Sequence, residues 1–113
     1  MRLVIKNNKD VIIDKEVEYT EESNIISIKY DNNILIINKN KKTFEKDEKD
    51  NNIFGDLQYN KIYITLKDNN VSFDLEVKNT EFNVTDKGVS IAYDIPQDEE
   101  DKEYMEIRFD VIY

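Results

Sequence analysis

The chain has 113 residues, with 16 basic against 25 acidic side chains for a net charge of −9, and contains neither cysteine nor histidine. Without cysteine there is no disulfide framework, thiolate metal site or thiol nucleophile. Without histidine the commonest general base and transition-metal ligand are gone, which excludes serine and cysteine hydrolases of ordinary design. The negative charge repels a phosphate backbone, so no nucleic-acid partner is expected, and the length fits a single domain over residues 1–113.

Met1-Arg2-Leu3-Val4-Ile5-Lys6 opens the chain with an apolar run of three residues. That is too short for a signal-peptide core or a membrane span, so a cytoplasmic location with no membrane partner is expected. Arg2 to Lys6 reads as a short strand and Asn7-Asn8-Lys9-Asp10 as a turn. A second extended segment starts at Val11-Ile12-Ile13, with Val17 and Tyr19 on the parity of Ile13, and Glu21-Glu22-Ser23-Asn24 breaks it. Ile26, Ile28 and Tyr30 alternate with polar residues, then Asp31-Asn32-Asn33 reverses the chain into Ile34-Leu35-Ile36-Ile37, the clearest hairpin of the first half. Four consecutive apolar residues imply a strand covered on both faces or one whose outer face meets a partner. With only two glycines in the chain, Asn and Asp are expected at the reversals, because their short side chains bond locally and tolerate positive φ.

Asn38 to Asn52 is dominated by charged residues and Asn, with Phe44 as its anchor, and reads as a loop; a short helix through the Glu45 and Lys49 pair is the alternative. Ile62, Ile64 and Leu66 then alternate with Tyr63 and Thr65 before Asp68-Asn69-Asn70 turns the chain.

From Val71 to Tyr113 three apolar-alternating segments organise the rest. Val71, Phe73, Leu75 and Val77 form the first, Val89, Ile91, Tyr93 and Ile95 the second, and Met105, Ile107, Phe109, Val111 and Tyr113 the third. Period two writes half-buried antiparallel strands. Inward parity is odd through Val77 but even at Phe82 and Val84, so a bulge must absorb one residue near Lys78-Asn79-Thr80. Bulges curl a sheet, which favours an all-β, antiparallel barrel or a strongly coiled sandwich over a flat sheet. Gly88 fits a turn position that disfavours a Cβ, and Pro96 ends its strand.

Gly88-Val89-Ser90-Ile91-Ala92-Tyr93-Asp94-Ile95, with Leu75-Glu76-Val77-Lys78 before it and Ile107-Arg108-Phe109 after it, resembles the C-terminal part of the YwiB-like proteins. These are a bacterial family of unassigned function with a calycin-like β-barrel related in shape to lipocalins. The likeness is best over Val71 to Tyr113 and extends back to about Ile25. Together with the alternation it implies an all-β, antiparallel, calycin-like barrel of about eight strands for this chain, and it brings no functional residues with it. The chain is shorter than expected for the family, so an incompletely closed barrel, lacking an N-terminal strand or hairpin, stays open beside a closed one.

A barrel of this size is either filled by its own side chains or hollow enough for one small ligand. In the hollow case Ile64, Phe73, Leu75, Ile91, Tyr93, Ile107 and Phe109 would line an apolar pocket for a small hydrophobic ligand. The expected function is therefore a non-catalytic small-molecule binder; the alternative is a protein-interaction or structural module, self-associating as a homodimer through a strand edge or through the Ile34 to Ile37 face. No cofactor, metal site or catalytic residue is expected. Asp98, Glu99, Glu100, Asp101 and Glu103 lack the spacing of a calcium loop, as do Glu45, Asp47, Glu48 and Asp50, and both groups read as solvated charge. Asp74 with Glu76, and Glu106 with Arg108, read as outward polar faces. Asn83-Val84-Thr85 matches a glycosylation acceptor by pattern only.

Overall fold

The computed structural model describes residues 1–98, 100 and 102–113. The described residues form twelve β-strands and no helix: β1 (Arg2–Asn7), β2 (Asp10–Glu16), β3 (Glu18–Glu22), β4 (Ile25–Tyr30), β5 (Asn33–Asn38), β6 (Thr43–Asp47), β7 (Asn51–Asp56), β8 (Lys61–Leu66), β9 (Val71–Glu76), β10 (Lys78–Thr85), β11 (Gly88–Pro96) and β12 (Tyr104–Ile112). All pairs are antiparallel, in two sheets. One has five strands in the order β10-β11-β12-β1-β2, the other seven in the order β3-β4-β5-β6-β7-β8-β9. The chain divides accordingly into two compact units, Met1–Glu16 with Val77–Tyr113, and Val17–Glu76.

Neither sheet closes on itself, so the hydrogen-bonded ring of about eight strands expected from the sequence does not form. Pairing stops at Val17 and Val77, each a single residue separating consecutive strands. The strand count rises because Asn38 to Asn52 is neither loop nor helix: Thr43–Asp47 pairs with Asn51–Asp56 as a hairpin. Its anchor is Phe44, fully buried and directly opposite Gly55, where the ring occupies the space a side chain would need. The three segments after Val71 likewise do not sit side by side, since β9 pairs with β8 while β10 pairs with β11.

The turns follow the chemistry read from the sequence. Asn8-Lys9, Ser23-Asn24 and Asp31-Asn32 are two-residue hairpin loops with positive φ at both positions, as a type I′ turn requires. Lys42, Asn60 and Asn70 close the four-residue loops with φ between 53° and 56°. The bulge is where parity demanded it: Lys78 pairs with Asp94 but Glu81 with Ala92, so β10 carries one extra residue, and Asn79 takes φ 51°.

In the five-stranded sheet, one face carries Leu3 and Ile5 of β1, Val89, Ile91 and Tyr93 of β11, and Phe109 and Val111 of β12, all at most 5% exposed. They stack across strands, Leu3 beside Val111 beside Val89, and Ile5 beside Phe109 beside Ile91. Each such side chain contributes about 1.5–3 kcal/mol of burial. The buried face of the seven-stranded sheet is built the same way from Ile26, Ile28, Leu35, Ile37, Phe44 and Ile62.

Candidate functional site

The polar face of the five-stranded sheet holds an open trough of about 750 Å³. Gly88 and Ser90, small residues of β11, line its floor between longer side chains on β10 and β12. Arg108 of β12 reaches across Ala92 to Glu81 of β10 at 2.7 Å, which leaves Ala92 only 4% exposed. Arg2 donates two hydrogen bonds of 2.7 Å to the Asp14 carboxylate, the direct partner of Val4, which is 8% exposed. This holds the Asp14 carboxyl below the usual range. Ser90 donates to Asp110, whose carboxylate also lies 3.8 Å from Arg108. These groups answer one another's charge, and the face is a solvated polar surface whose ion pairs lie over small apolar residues.

The apolar face of the seven-stranded sheet is different, because burial falls off towards one edge. Along the row Ile28, Leu35, Lys46, Ile53, Ile64, Phe73, set by direct cross-strand pairing, burial falls from complete at Ile28 and Leu35 to 43% exposure at Phe73. Leu66 and Val71, paired in the next row, are 38% and 46% exposed. β9 is the last strand of its sheet, with a neighbour on one side only.

A polar group interrupts this apolar face. Lys46 takes the place of a hydrophobic residue between Leu35 and Ile53, and its ammonium sits 3.1 Å from Glu48, with the two side chains 19% and 31% exposed. Asn51, opposite Leu66, has a buried Oδ1 that accepts no hydrogen bond. Tyr30 is buried on the same face, its phenol pushed up to about 12 by burial first, then by the nearby charges of Glu48 and Asp31.

The seven residues expected to line one pocket fall into two sets. Ile64 pairs directly with Phe73, and Leu75 with Ile62, in the seven-stranded sheet. Ile91 pairs with Phe109 and Tyr93 with Ile107 in the five-stranded sheet, where the Tyr93 and Phe109 rings lie 6.3 Å apart. Ile91, Tyr93 and Phe109 are buried and Ile64, Leu75 and Ile107 half-buried; Phe73, expected inside, is largely exposed because β9 is an edge strand. None of the seven lines the trough.

The acidic clusters are dispersed by strand alternation. Glu45 and Asp47 point to the face opposite Lys46, where Lys67 bonds the Asp47 carboxylate at 2.6 Å, and that bond together with one from Asn52 lowers its pKa. Asp98 accepts the Lys102 amide and Glu100 pairs with Lys102 at 2.8 Å, while Glu99 and Asp101 lie outside the described residues. Among the described residues no group of three or more acidic side chains is placed to hold a metal ion. No helix there is long and apolar enough to cross a membrane. Asp74 pairs with Lys61 on the outer face, and Asn83 donates to Glu81 at 2.8 Å.

Sequence reasoning passed over Lys46, Tyr30 and Asn51. The available signal was the parity of Phe44: once Phe44 is inward on a strand, Lys46 and Glu48 must be inward too.

No protein-family model, curated protein or solved structure matches the chain.

Proposed function

We propose that the chain is a non-catalytic binding protein that takes a small hydrophobic ligand on the apolar face of β7, β8 and β9. The observation that carries this reading is the apolar row Ile53, Ile64, Phe73, half-buried at Ile53 and Ile64 and exposed at Phe73, beside exposed Leu66 and Val71. Contiguous exposed apolar surface is the property of a binding face. Kinship with the YwiB-like proteins, a calycin-like character and a cytoplasmic location accompany the reading as proposals. The first two rest on the Gly88 to Ile95 strand and its flanking segments.

Thermal unfolding with a panel of neutral apolar ligands tests it. A ligand at a hundredfold excess over its Kd raises stability by about 2.7 kcal/mol. A stabilising ligand should lose its effect in Phe73→Asp. The reading fails if no panel member shifts the midpoint, or if the shift is unchanged in that variant.

A second reading, an interaction module, has its own support on the opposite face of the same sheet. There Ile25, Ile34 and Tyr63 are 40%, 37% and 44% exposed, and the Phe54 ring lies 6.3 Å from that of Tyr63. Sedimentation distinguishes the two: a dimer dissociated by Ile34→Lys favours the interaction module, whereas a monomer at high concentration removes the self-associating form of it.

A further inference from the structure

We propose that a second copy of this chain adds to the free edge of β9 as an antiparallel strand, Phe73 opposite Phe73 about a two-fold axis, so that two seven-stranded sheets run on as one. This rests on the reading of the chain as a self-associating interaction module, and it places the contact at the sheet edge rather than on the face that carries Ile34. Edge pairing leaves the apolar face of β7, β8 and β9 uncovered, so it does not displace a ligand there.

Four strands, β2, β10, β3 and β9, end the two sheets, and three of them are guarded against such pairing. An exposed edge is a template for another strand, which proteins blunt with charge or with a bulge. Centred self-pairing would set Asp10 opposite Glu16 on β2 and Glu18 opposite Glu22 on β3, and like charges directly opposite one another repel. β10 is interrupted by its bulge between Lys78 and Glu81. β9 has neither device. It pairs with β8 along its whole length without a register shift, and Val71, Phe73 and Leu75 put no charge on its apolar side.

The direction of the backbone groups fixes the alignment. The Lys67 amide bonds the Asp50 carbonyl at 3.0 Å, in step with the pairing of β7 and β8. By strand alternation Lys61, Tyr63 and Thr65 then turn their amides and carbonyls to β7, and Ile62, Ile64 and Leu66 turn theirs to β9. On β9 the groups of Val71, Phe73 and Leu75 are therefore engaged with β8, and those of Ser72 and Asp74 point out from the edge. With Phe73 on the axis, Ser72 of each copy meets Asp74 of the other, each such pair exchanges both backbone hydrogen bonds, and the symmetry makes every contact twice. Phe73 meets its counterpart as a non-hydrogen-bonded pair, the arrangement that brings side chains closest, and Val71 faces Leu75 on either side of it. No carboxylate lies directly opposite another, and Asp74 is already answered by Lys61 at 3.6 Å. An alignment with Asp74 on the axis would instead set the two Asp74 carboxylates against each other.

The test uses the full chain. Sedimentation equilibrium should show a dimer that forms with rising concentration, and Ser72→Pro, which removes an outward amide and is tolerated on an edge, should weaken it by about tenfold or more while unfolding stays cooperative. Because the chain has no cysteine, single substitutions give a second measurement that does not depend on the proline variant folding. Phe73→Cys should form an intermolecular disulfide under mild oxidation, since directly opposed positions of this kind stand about 4.5 Å apart. Val71→Cys, at a residue just as exposed, should not, since the two copies of that position lie about 13 Å apart along the strands. Cross-linking at Val71 as readily as at Phe73, or a dimer that Ser72→Pro leaves intact, overturns the β9 edge; if Ile34→Lys dissociates that dimer, the interaction module stands on the outer face. A monomer at every concentration, with no cross-link at either position, overturns the edge and the self-associating reading together.

Discussion

Both glycines are held by what a Cβ would strike, and the two obstacles differ in kind. A Cβ on Gly88 would lie 1.9 Å from the Val111 carbonyl oxygen, a backbone atom fixed in the β11–β12 ladder, at φ +150°. A Cβ on Gly55 would lie 2.1 Å from Cε1 of Phe44, a ring that can yield by rotating. Gly88→Ala is thus expected to cost more than about 4 kcal/mol and Gly55→Ala about 1–3 kcal/mol, read as shifts in urea midpoint at unchanged slope. Equal losses would contradict this account. The tyrosines give a second prediction at this scale. Burial raises the phenol pKa of Tyr30 to about 12 and that of Tyr93 further still. The folded state holds these protons more tightly than the unfolded chain, whose tyrosines titrate near 10. Their contribution is complete below that value and is lost as pH climbs from about 10 towards 12 and beyond. Tyr30 and Tyr93 should ionise late, together with alkaline unfolding, followed by phenolate absorbance and circular dichroism.

Strands and reversals were legible wherever parity and turn chemistry agreed. The Asn7 to Asp10 and Asp31 to Asn33 turns, the Ile26 to Ile37 hairpin and the bulge beside Asn79 were all available from residue order. The hairpin of β6 and β7 was not, because only Phe44 marks its buried side while Lys46 and Glu48 occupy apolar-face positions. The same disguise hid the candidate site, since a lysine on an inward parity resembles a loop until its neighbours are known to be strands. The bulge at Asn79 sets the faces of β10. Deleting Asn79 should return Phe82 and Val84 to the charged side of the sheet and leave the chain unfolded, whereas Asn79→Gly, which keeps the count and suits φ 51°, should remain folded. Soluble, cooperatively unfolding protein from the deletion would defeat the assignment.

What alternation could not convey was which strands become neighbours, since every strand carries the same period. Val17 and Val77 look like ordinary apolar positions in continuous strands, yet pairing changes sheet at each. The seven-stranded meander joins only segments adjacent in sequence, whereas the five-stranded sheet requires β1 to meet β12, with Arg2 opposite Ile112 and Asn7 opposite Ile107. Local pairing closes short loops and forms early, while closing a loop of that length is slow. Pulse-labelled hydrogen exchange during refolding should show the amides of Ile28 and Leu35 protected before those of Leu3 and Ile5. Simultaneous protection, or the reverse order, would remove this hierarchy.

The pairing of β1 with β12 has a consequence for synthesis. β1 leaves the ribosome well before β12 and must wait for it, which at cellular elongation rates is on the order of ten seconds. Throughout that wait Leu3 and Ile5 lack the neighbours they finally acquire, and the nascent hairpin of β1 and β2 presents a greasy face that only a chaperone or the charged residues Asp10, Asp14, Lys15 and Glu16 keep from sticking to another chain.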